Sequence, residues 1–130
     1  MILKNKNFVI YKKIILLYNM NHHRHSSIEW GNSLWKFIHA ICIIDKETPQ
    51  NNAKESRKVI KILKSIKNII PCEECKQEWK KHIHTLYTLD IYKPMELFHW
   101  SWQFHNKINK KINKPIITYD DALRIHTKIN

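Results

Sequence analysis

The chain alternates between stretches in which apolar residues recur every three or four positions and short polar stretches that interrupt them. That spacing places apolar side chains on one face of an α-helix. It predicts a first helix built on Leu34, Ile38 and Ile41, preceded by Ser26 and Glu29 at the spacing of a capping box. No stretch alternates apolar and polar residues as a half-buried strand does.

A second helix is predicted between two interruptions. The polar stretch "ETPQNN" interrupts the helical pattern first, and Pro71 ends the helix because proline cannot continue one. The apolar face of this helix is formed by Val59, Ile62, Leu63, Ile66 and Ile69. Lysines occupy its other face, so the helix is expected to lie on the surface of a core.

Three more helices complete the pattern. A third opens at residues 72–75 and runs through Trp79. Pro94 suits the first turn of a fourth helix, from Met95 to about Ile112. Thr118 and Asp121 have the spacing that caps a short fifth helix. The sequence therefore predicts a small all-α bundle.

Composition supports a single helical domain. The chain has 130 residues, 43% of them hydrophobic, with only one glycine and four prolines. Tight hairpins need glycine, so a sheet-rich fold is disfavoured. We expect residues 1–25 to be an extension and residues 26–130 to form the domain. Lys12 and Lys13 split the apolar run of the extension, so we expect no membrane span, and Met20 offers a second translation start.

The formal net charge of +12 would suit an anionic partner such as nucleic acid or a membrane surface. The lysines look scattered along the chain, however, rather than gathered into one stripe, which disfavours nucleic-acid binding as the main function. A non-enzymatic helical module that binds zinc or nucleic acid is the alternative to an enzyme.

Cys72 and Cys75 form a C-x-x-C pair directly after Pro71. At a helix start, unpaired backbone N–H groups and the helix dipole favour a thiolate, as in redox pairs. A thioredoxin-like protein would need a βαβ context, which the pattern lacks. Zinc would need two more ligands, and His82 and His84 lie two positions apart, pointing to nearly opposite sides of a helix. A redox pair, half of a zinc site and two inert thiols all stay open.

Cys42 is the third cysteine of the chain. It lies in the apolar stretch "IHAICII" and has no partner near it in the sequence. An isolated cysteine of this kind often behaves as a small buried apolar residue, so we expect a structural role.

Two helices carry aromatic and hydrogen-bonding side chains at helical spacing. On the first helix these residues are Gly31, Trp35 and His39. On the fourth helix and just beyond it they are His105, Asn106, Asn109 and Lys114. A planar cofactor with polar edges and a diphosphate needs groups of these kinds.

Three motifs, in this order, resemble the Erv/ALR family of FAD-linked sulfhydryl oxidases. They are G-x-x-x-W-x-x-x-H from Gly31 to His39, P-C-x-x-C from Pro71 to Cys75, and H-N-x-x-N-x-x-x-x-K-P from His105 to Pro115. The resemblance covers roughly residues 28–126. It implies a four-helix bundle with a short fifth helix and FAD bound at the mouth of the bundle.

The resemblance also implies roles for individual residues. Cys75 would lie beside the flavin, and Cys72 would exchange with the substrate. The cofactor would be bound by Gly31, Trp35, His39, His105, Asn106, Asn109 and Lys114. No metal site is implied. His126 falls near a position where the family often has an aromatic residue, and no role follows for it.

The activity implied by the resemblance is thiol oxidation. A substrate thiolate attacks the Cys72–Cys75 disulfide, electrons pass to FAD, and oxygen accepts them as hydrogen peroxide. The implied partners are a protein dithiol, which we expect to be a small or flexible C-x-x-C protein, and a second copy of the chain in a homodimer. Compact members of this kind are similar to those of large DNA viruses. We therefore expect the host cytoplasm or the virion, or otherwise the mitochondrial intermembrane space or another disulfide-forming compartment.

Overall fold

The computed structural model describes residues 25–70 and 73–127, and in these ranges it contains helices and no strand. The α-helices are α1 His25–Cys42, α2 Pro49–Ile66, α3 Glu73–Ile83, α4 Glu96–Lys111 and α5 Tyr119–Thr127. A 3₁₀ helix, His84–Thr88, follows α3 directly. The predicted all-α fold is confirmed. The predicted N-terminal extension lies, apart from His25, outside the described residues.

The core forms where α1 and α4 pack against each other, with α5 in contact with both and α2 against α1. The largest fully buried side chains are apolar, apart from one serine: Phe98, Ile38, Leu63, Leu86, Leu97, Cys42 and Ser101. Burying a large aliphatic or aromatic side chain contributes about 1.5–3 kcal/mol each, so these contacts fix how α1 faces α4. No helix in the described ranges has the length and apolar character needed to cross a membrane.

The start of α2 differs from the sequence prediction. Thr48 is its N-cap, and the Thr48 hydroxyl accepts a hydrogen bond from the backbone N–H of Asn51 at 3.1 Å. Pro49 occupies the first turn, where its missing N–H costs nothing. Asn52 is buried, and its Oδ1 accepts from the backbone N–H of Lys46 at 2.7 Å. The stretch predicted as an interruption is thus a helix start, because threonine followed by proline is a favourable cap.

The start of α4 also lies later than predicted. Met95 is the N-cap and adopts a left-handed backbone conformation with φ 65° and ψ 9°. Its N–H donates to the carbonyl of Ile44 at 2.8 Å, which ties this turn to the segment after α1. A left-handed conformation costs a non-glycine residue about 1–2 kcal/mol and interrupts the helix. Pro94 therefore precedes the cap, and its predicted place in the first turn is wrong.

The predicted cap of α5 is confirmed, and that of α1 is wrong. The Thr118 hydroxyl accepts from the backbone N–H of Asp121 at 3.1 Å, and α5 begins at the next residue. Ser26, in contrast, already lies within α1, whereas an N-cap residue has a non-helical backbone. A cap contributes only about 1 kcal/mol, so it does not by itself decide where a helix begins.

The outer face of α2 is basic. The exposed residues Lys54, Arg57, Lys58, Lys61 and Lys64 fall within one arc of the helix, opposite its buried residues. We call this set the basic face. Glu55 lies at its margin and pairs with Lys58 at 3.2 Å. The prediction that lysines occupy the other face of this helix is confirmed. Residues that look scattered along the whole chain are gathered here by helical spacing.

Candidate active site

Cys75 lies in the first turn of α3 and is exposed. Its partner in the motif, Cys72, lies outside the described residues, as does the proline before it. Cys75, Trp79 and His82 have the spacing of residues on one helical face. Trp79 is buried, and its indole N–H donates to the carbonyl of Leu63 at 3.0 Å. The cysteine therefore belongs to the face of α3 that is anchored against the bundle.

Glu78 brings a lysine of α4 close to this part of α3. Its Oε1 accepts a hydrogen bond from Lys111 Nζ, and its Oε2 lies 3.5 Å from His82 Nε2. The Lys111 hydrogen bond is the main reason that the pKa of Glu78 is lowered. The same bond raises the pKa of Lys111, and the charge of Cys75 adds to that rise. The Lys111 ammonium thus lies within electrostatic reach of Cys75.

His39 links α1 to α4 through both of its ring nitrogens. Nδ1 lies 2.8 Å from Oγ of Ser101, and Nε2 lies 2.9 Å from Nδ1 of His105. Trp35 stacks on His105, with ring centroids 4.2 Å apart and planes inclined by 10°. The folded chain therefore brings together three of the predicted cofactor-binding residues, Trp35, His39 and His105. We call this set the histidine cluster.

The imidazoles of the histidine cluster are uncharged at neutral pH. Burial, together with the nearby His105 and His126, lowers the pKa of His39 to about 3. Burial and the charge of Lys114 lower the pKa of His105 to about 4. Burial and Lys36 lower the pKa of His126 as well. The cluster therefore offers flat rings and hydrogen-bonding nitrogens, and positive charge comes from lysines such as Lys114.

Phe104 connects the histidine cluster to the cysteine-bearing helix. Its ring centroid lies 5.3 Å from that of Trp35 on α1. The same centroid lies 5.1 Å from that of Trp79 and 4.7 Å from that of His82, and both of these residues belong to α3. The two candidate halves of the site are thus joined by one buried aromatic ring of α4.

The other predicted cofactor-binding residues lie beside the cluster. Asn106 pairs with the backbone of Ile117, donating to its carbonyl at 2.7 Å and accepting from its N–H at 3.0 Å. Asn109 is buried, and its carbonyl accepts from the backbone N–H of Lys114 at 2.8 Å. A Cβ added at Gly31 would meet no atom within 4 Å. The side chain of Asn106 and the backbone carbonyl of Asn109 thus hold the α4–α5 connection in place, and contact of either residue with a cofactor stays a prediction.

Two residues join the cluster without having been predicted as site residues. Ser101 is fully buried and contacts His39. The ring centroid of His126 lies 4.8 Å from that of His39. Ser101 precedes His105 by four positions, so helical spacing could have placed it on the same face. The position of His126 depends on how α5 packs, which no local sequence pattern reveals.

Cys42 has the structural place expected of it. It is fully buried, and burial raises the pKa of its thiol to about 12. A hydrogen bond with Ser101 acts in the opposite direction and lowers the pKa, but its effect is smaller. The thiol therefore stays protonated at neutral pH. Among the side chains that the structure describes, those of residues 31–70 and 73–127, no three His, Cys, Asp or Glu residues stand together in a way that could hold a metal ion.

The chain belongs to the Erv1/Alr family, whose family model matches residues 32–128. This match covers the helices that carry both the cysteine motif and the histidine cluster. The resemblance recognised from the three sequence motifs is thereby confirmed.

Relatives of the chain occur in viruses and in yeast. The FAD-linked sulfhydryl oxidase of African swine fever virus (isolate Pig/Kenya/KEN-50/1950) is 26% identical over 99 residues, which cover 76% of this chain and 81% of the viral protein. The mitochondrial FAD-linked sulfhydryl oxidase ERV1 of Saccharomyces cerevisiae is 29% identical over 85 residues, 65% of this chain and 43% of the yeast protein. A FAD-linked sulfhydryl oxidase homologue of Acanthamoeba polyphaga mimivirus is 24% identical over 98 residues, 73% of this chain and 66% of the mimivirus protein. No solved structure matches this chain significantly.

Proposed function

We propose that the protein is an FAD-dependent thiol oxidase that forms disulfides in protein dithiols and reduces oxygen to hydrogen peroxide. The observation that carries this proposal is the Phe104 ring, which contacts Trp35 of the histidine cluster and Trp79 and His82 of α3, the helix with Cys75 in its first turn. The chain also belongs to the Erv1/Alr family. The names of the viral and yeast relatives support the same activity.

The residues present fit FAD. Trp35 and His105 are stacked face to face, and a planar ring system can extend this stack on an outer face. Gly31 borders open space on the same helix, which leaves room for a ligand. Lys114 acts on His105 electrostatically, so it supplies positive charge for a diphosphate close to the neutral imidazoles. We assign cofactor binding to these residues together with His39, Asn106 and Asn109.

The cysteine pair carries the exchange with substrate. A substrate thiolate attacks Sγ of Cys72, the Cys72–Cys75 bond breaks, and Cys75 leaves as a thiolate. The second substrate thiol then displaces Cys72, so the substrate gains a disulfide and the pair becomes reduced. The first turn of α3 favours a thiolate at Cys75. The positive charge of Lys111 acts in the same direction, and a neighbouring carboxylate such as Glu74 acts against it. FAD, when bound, supplies the two-electron acceptance that restores the Cys72–Cys75 disulfide and passes the electrons to oxygen.

The cofactor content of the purified protein tests this function. The account predicts yellow protein with close to equimolar FAD and negligible zinc. Heat-released cofactor is quantified by absorption and chromatography, and metal by atomic emission. Colourless protein with stoichiometric zinc would favour the alternative, a non-enzymatic helical module that binds zinc.

The substrate is proposed to be a small or flexible protein with a C-x-x-C pair and an acidic surface. The chain has three cysteines, and Cys42 is buried, so it holds no second dithiol that could relay electrons to the pair. The substrate must therefore bring its own two thiols to Cys72, which a small or flexible protein does more easily than a bulky folded one. The basic face of α2 would attract an acidic partner, and such steering weakens as salt screens it.

Trapping identifies the substrate and tests the two cysteine roles. The Cys75→Ser variant should hold its substrate as a mixed disulfide with Cys72, whereas Cys72→Ser should trap little. Capture of one small C-x-x-C protein supports the proposal. Equal capture by both variants, or of many large folded proteins, contradicts it.

We further propose a homodimer that uses α1 and α2. Phe37 of α1 is 48% exposed and Ile62 of α2 is 42% exposed, which leaves two large apolar side chains on neighbouring helices in water. The basic face itself would repel a second copy, so the contact should lie beside it. Sedimentation should show a dimer for the wild type and a monomer for Phe37→Asp. A monomeric wild type at micromolar concentration contradicts the proposal.

The cellular location of the protein is proposed from its relatives. Relatives include viral proteins and a mitochondrial yeast protein. We propose the host cytoplasm or the virion if the chain is viral, and otherwise the mitochondrial intermembrane space or another disulfide-forming compartment. Immunogold labelling of infected or expressing cells tests this assignment.

A further inference from the structure

The hydroxyl of Ser101 has one proton, and the fold determines where that proton goes. Ser101 is fully buried, and its Oγ–H donates to the carbonyl of Phe98 at 2.7 Å. With its hydrogen on the Phe98 carbonyl, the Ser101 oxygen acts as an acceptor towards its two other partners, the Cys42 thiol and His39. His39 Nδ1 lies 2.8 Å from that oxygen, so in this arrangement Nδ1 carries the hydrogen of the neutral ring.

The position of the hydrogen on His39 determines the position of the hydrogen on His105. A neutral imidazole carries one N–H, so a His39 ring protonated at Nδ1 has an unprotonated Nε2. This Nε2 lies 2.9 Å from Nδ1 of His105, and His105 must donate across that distance. His105 is uncharged as well, because burial and Lys114 lower its pKa to about 4. Its own Nε2 is then unprotonated and acts as an acceptor.

We infer that Ser101 is a positioning residue that fixes His39 and His105 in their Nδ1–H forms, so that His105 offers a hydrogen-bond acceptor, Nε2, to the cofactor. The inference rests on the proposed function for the identity of that cofactor. FAD carries matching donors in the flavin N3–H, the adenine amino group and its hydroxyls. A diphosphate oxygen cannot bond to this nitrogen, since both atoms are acceptors.

Ser101 affects cofactor binding only through its hydrogen bond with His39, and it is not itself a catalytic residue. The chain Phe98 carbonyl, Ser101, His39, His105 runs from the backbone of α4 across to α1 and back. Removing the hydroxyl leaves His39 Nδ1 without its buried acceptor. Without that acceptor, the form of His39 with its hydrogen on Nδ1 is no longer favoured. In the other form, the N–H at Nε2 of His39 would face the N–H at Nδ1 of His105, and the hydrogen bond between the rings would be lost.

Nitrogen NMR of the FAD-loaded protein, labelled with ¹⁵N-histidine, reads these forms directly. At neutral pH the inference predicts pyrrole-type Nδ1 and pyridine-type Nε2 shifts for both His39 and His105. A pyrrole-type Nε2 or a doubly protonated ring at either residue overturns it. This measurement uses the wild-type protein, so it does not depend on whether a variant folds.

Three variants test whether Ser101 determines the ring forms of His39 and His105 and the affinity for FAD. Ser101→Ala should give mixed ring forms at both histidines and raise the dissociation constant of FAD about tenfold, the loss expected for one buried hydrogen bond. Ser101→Thr keeps the hydroxyl and should restore the wild-type ring forms. Ser56→Ala, the matched control, removes another buried serine, on α2, and should change neither ring form nor FAD affinity.

The outcomes separate this inference from the proposed function. Wild-type ring forms in Ser101→Ala would show that Ser101 does not set them and would overturn the inference. A wild-type protein that takes up no FAD would contradict the proposed function instead. The ring forms would then be read from the FAD-free protein, where the same shifts decide the inference.

Discussion

The indole of Trp35 lies flat against the imidazole of His105, with ring centroids 4.2 Å apart and planes inclined by 10°. Trp35 belongs to α1 and His105 to α4, so the stack exists only when these helices pack. Phe104 backs it at 5.3 Å from Trp35. The result is a supported aromatic surface whose imidazole carries no charge at neutral pH.

Trp35→Leu should weaken FAD binding, because it removes the flat ring. An aromatic contact contributes about 0.5–1.5 kcal/mol, so the dissociation constant should rise by up to about tenfold. Trp35→Phe keeps a flat ring and should retain most of the affinity. Fluorescence titration measures both, with Tyr87→Leu as control, since Tyr87 is exposed elsewhere. Unchanged affinity in Trp35→Leu would remove Trp35 from the binding surface.

Gly31→Ala should stabilise the protein and weaken cofactor binding. No atom lies within 4 Å of the added Cβ, and alanine stabilises a helix interior by about 0.5–1 kcal/mol relative to glycine. The same methyl group would occupy the open space assigned to FAD. Urea unfolding and FAD titration give the two results. Asn32→Ala, on the exposed side of α1, should leave FAD affinity unchanged. If Gly31→Ala also leaves it unchanged, the role assigned to Gly31 is wrong.

Helical spacing was sufficient to predict that the described chain is all-α and that residues such as Ile38, Leu63 and Ile66 face its core. Ile62, predicted on the same apolar face of α2, is instead 42% exposed. It failed at the start of α2, where the local cap formed by Thr48 and Pro49 begins the helix, and at the start of α4, where a tertiary contact decides. Met95 keeps its left-handed backbone while its N–H bonds to Ile44, a contact between residues far apart in sequence. No local pattern contains that information.

The candidate site was predictable as far as it follows spacing along a single helix. Trp35 and His39 were identified because they lie four positions apart on α1. His126 was not, because its ring reaches His39 only through the packing of α5 against α1 and α4. Asn106 was identified as a hydrogen-bonding residue, but its pairing with the backbone of Ile117 depends on the path of the α4–α5 connection.

Stability should fall as the pH is lowered from about 6.5. The folded state holds the pKa of His39 at about 3 and that of His105 at about 4, below the ordinary value of 6.5. Between these values the unfolded chain binds more protons than the folded one. The free energy of unfolding therefore decreases with falling pH, by about 1.4 kcal/mol per pH unit for each histidine.

Urea unfolding between about pH 7 and pH 5 measures this slope. His105→Gln should reduce it, whereas His84→Gln, at an exposed position of the 3₁₀ helix, should not. A wild-type protein equally stable at both ends of this range would show that the buried imidazoles are not held neutral.

Cys42→Ser should cost about 1 kcal/mol of stability and leave thiol oxidation intact. The change replaces a small apolar group by a hydroxyl in the buried core. Because the thiol stays protonated at neutral pH, it is a poor nucleophile and takes no part in disulfide exchange. Urea unfolding and an oxidase assay check the two statements. Activity lost together with an unchanged fold would assign Cys42 a chemical role.

Oxygen consumption with a small dithiol substrate tests the central claim most directly. It is measured for FAD-loaded wild-type protein, Cys72→Ser, Cys75→Ser and, as the matched control, Cys42→Ser. The account predicts that wild type and Cys42→Ser consume oxygen and release one hydrogen peroxide for each disulfide formed. Both other variants should fall to background while keeping their FAD. A Cys75→Ser protein that still consumes oxygen at the wild-type rate would contradict the assignment of this pair as the redox centre.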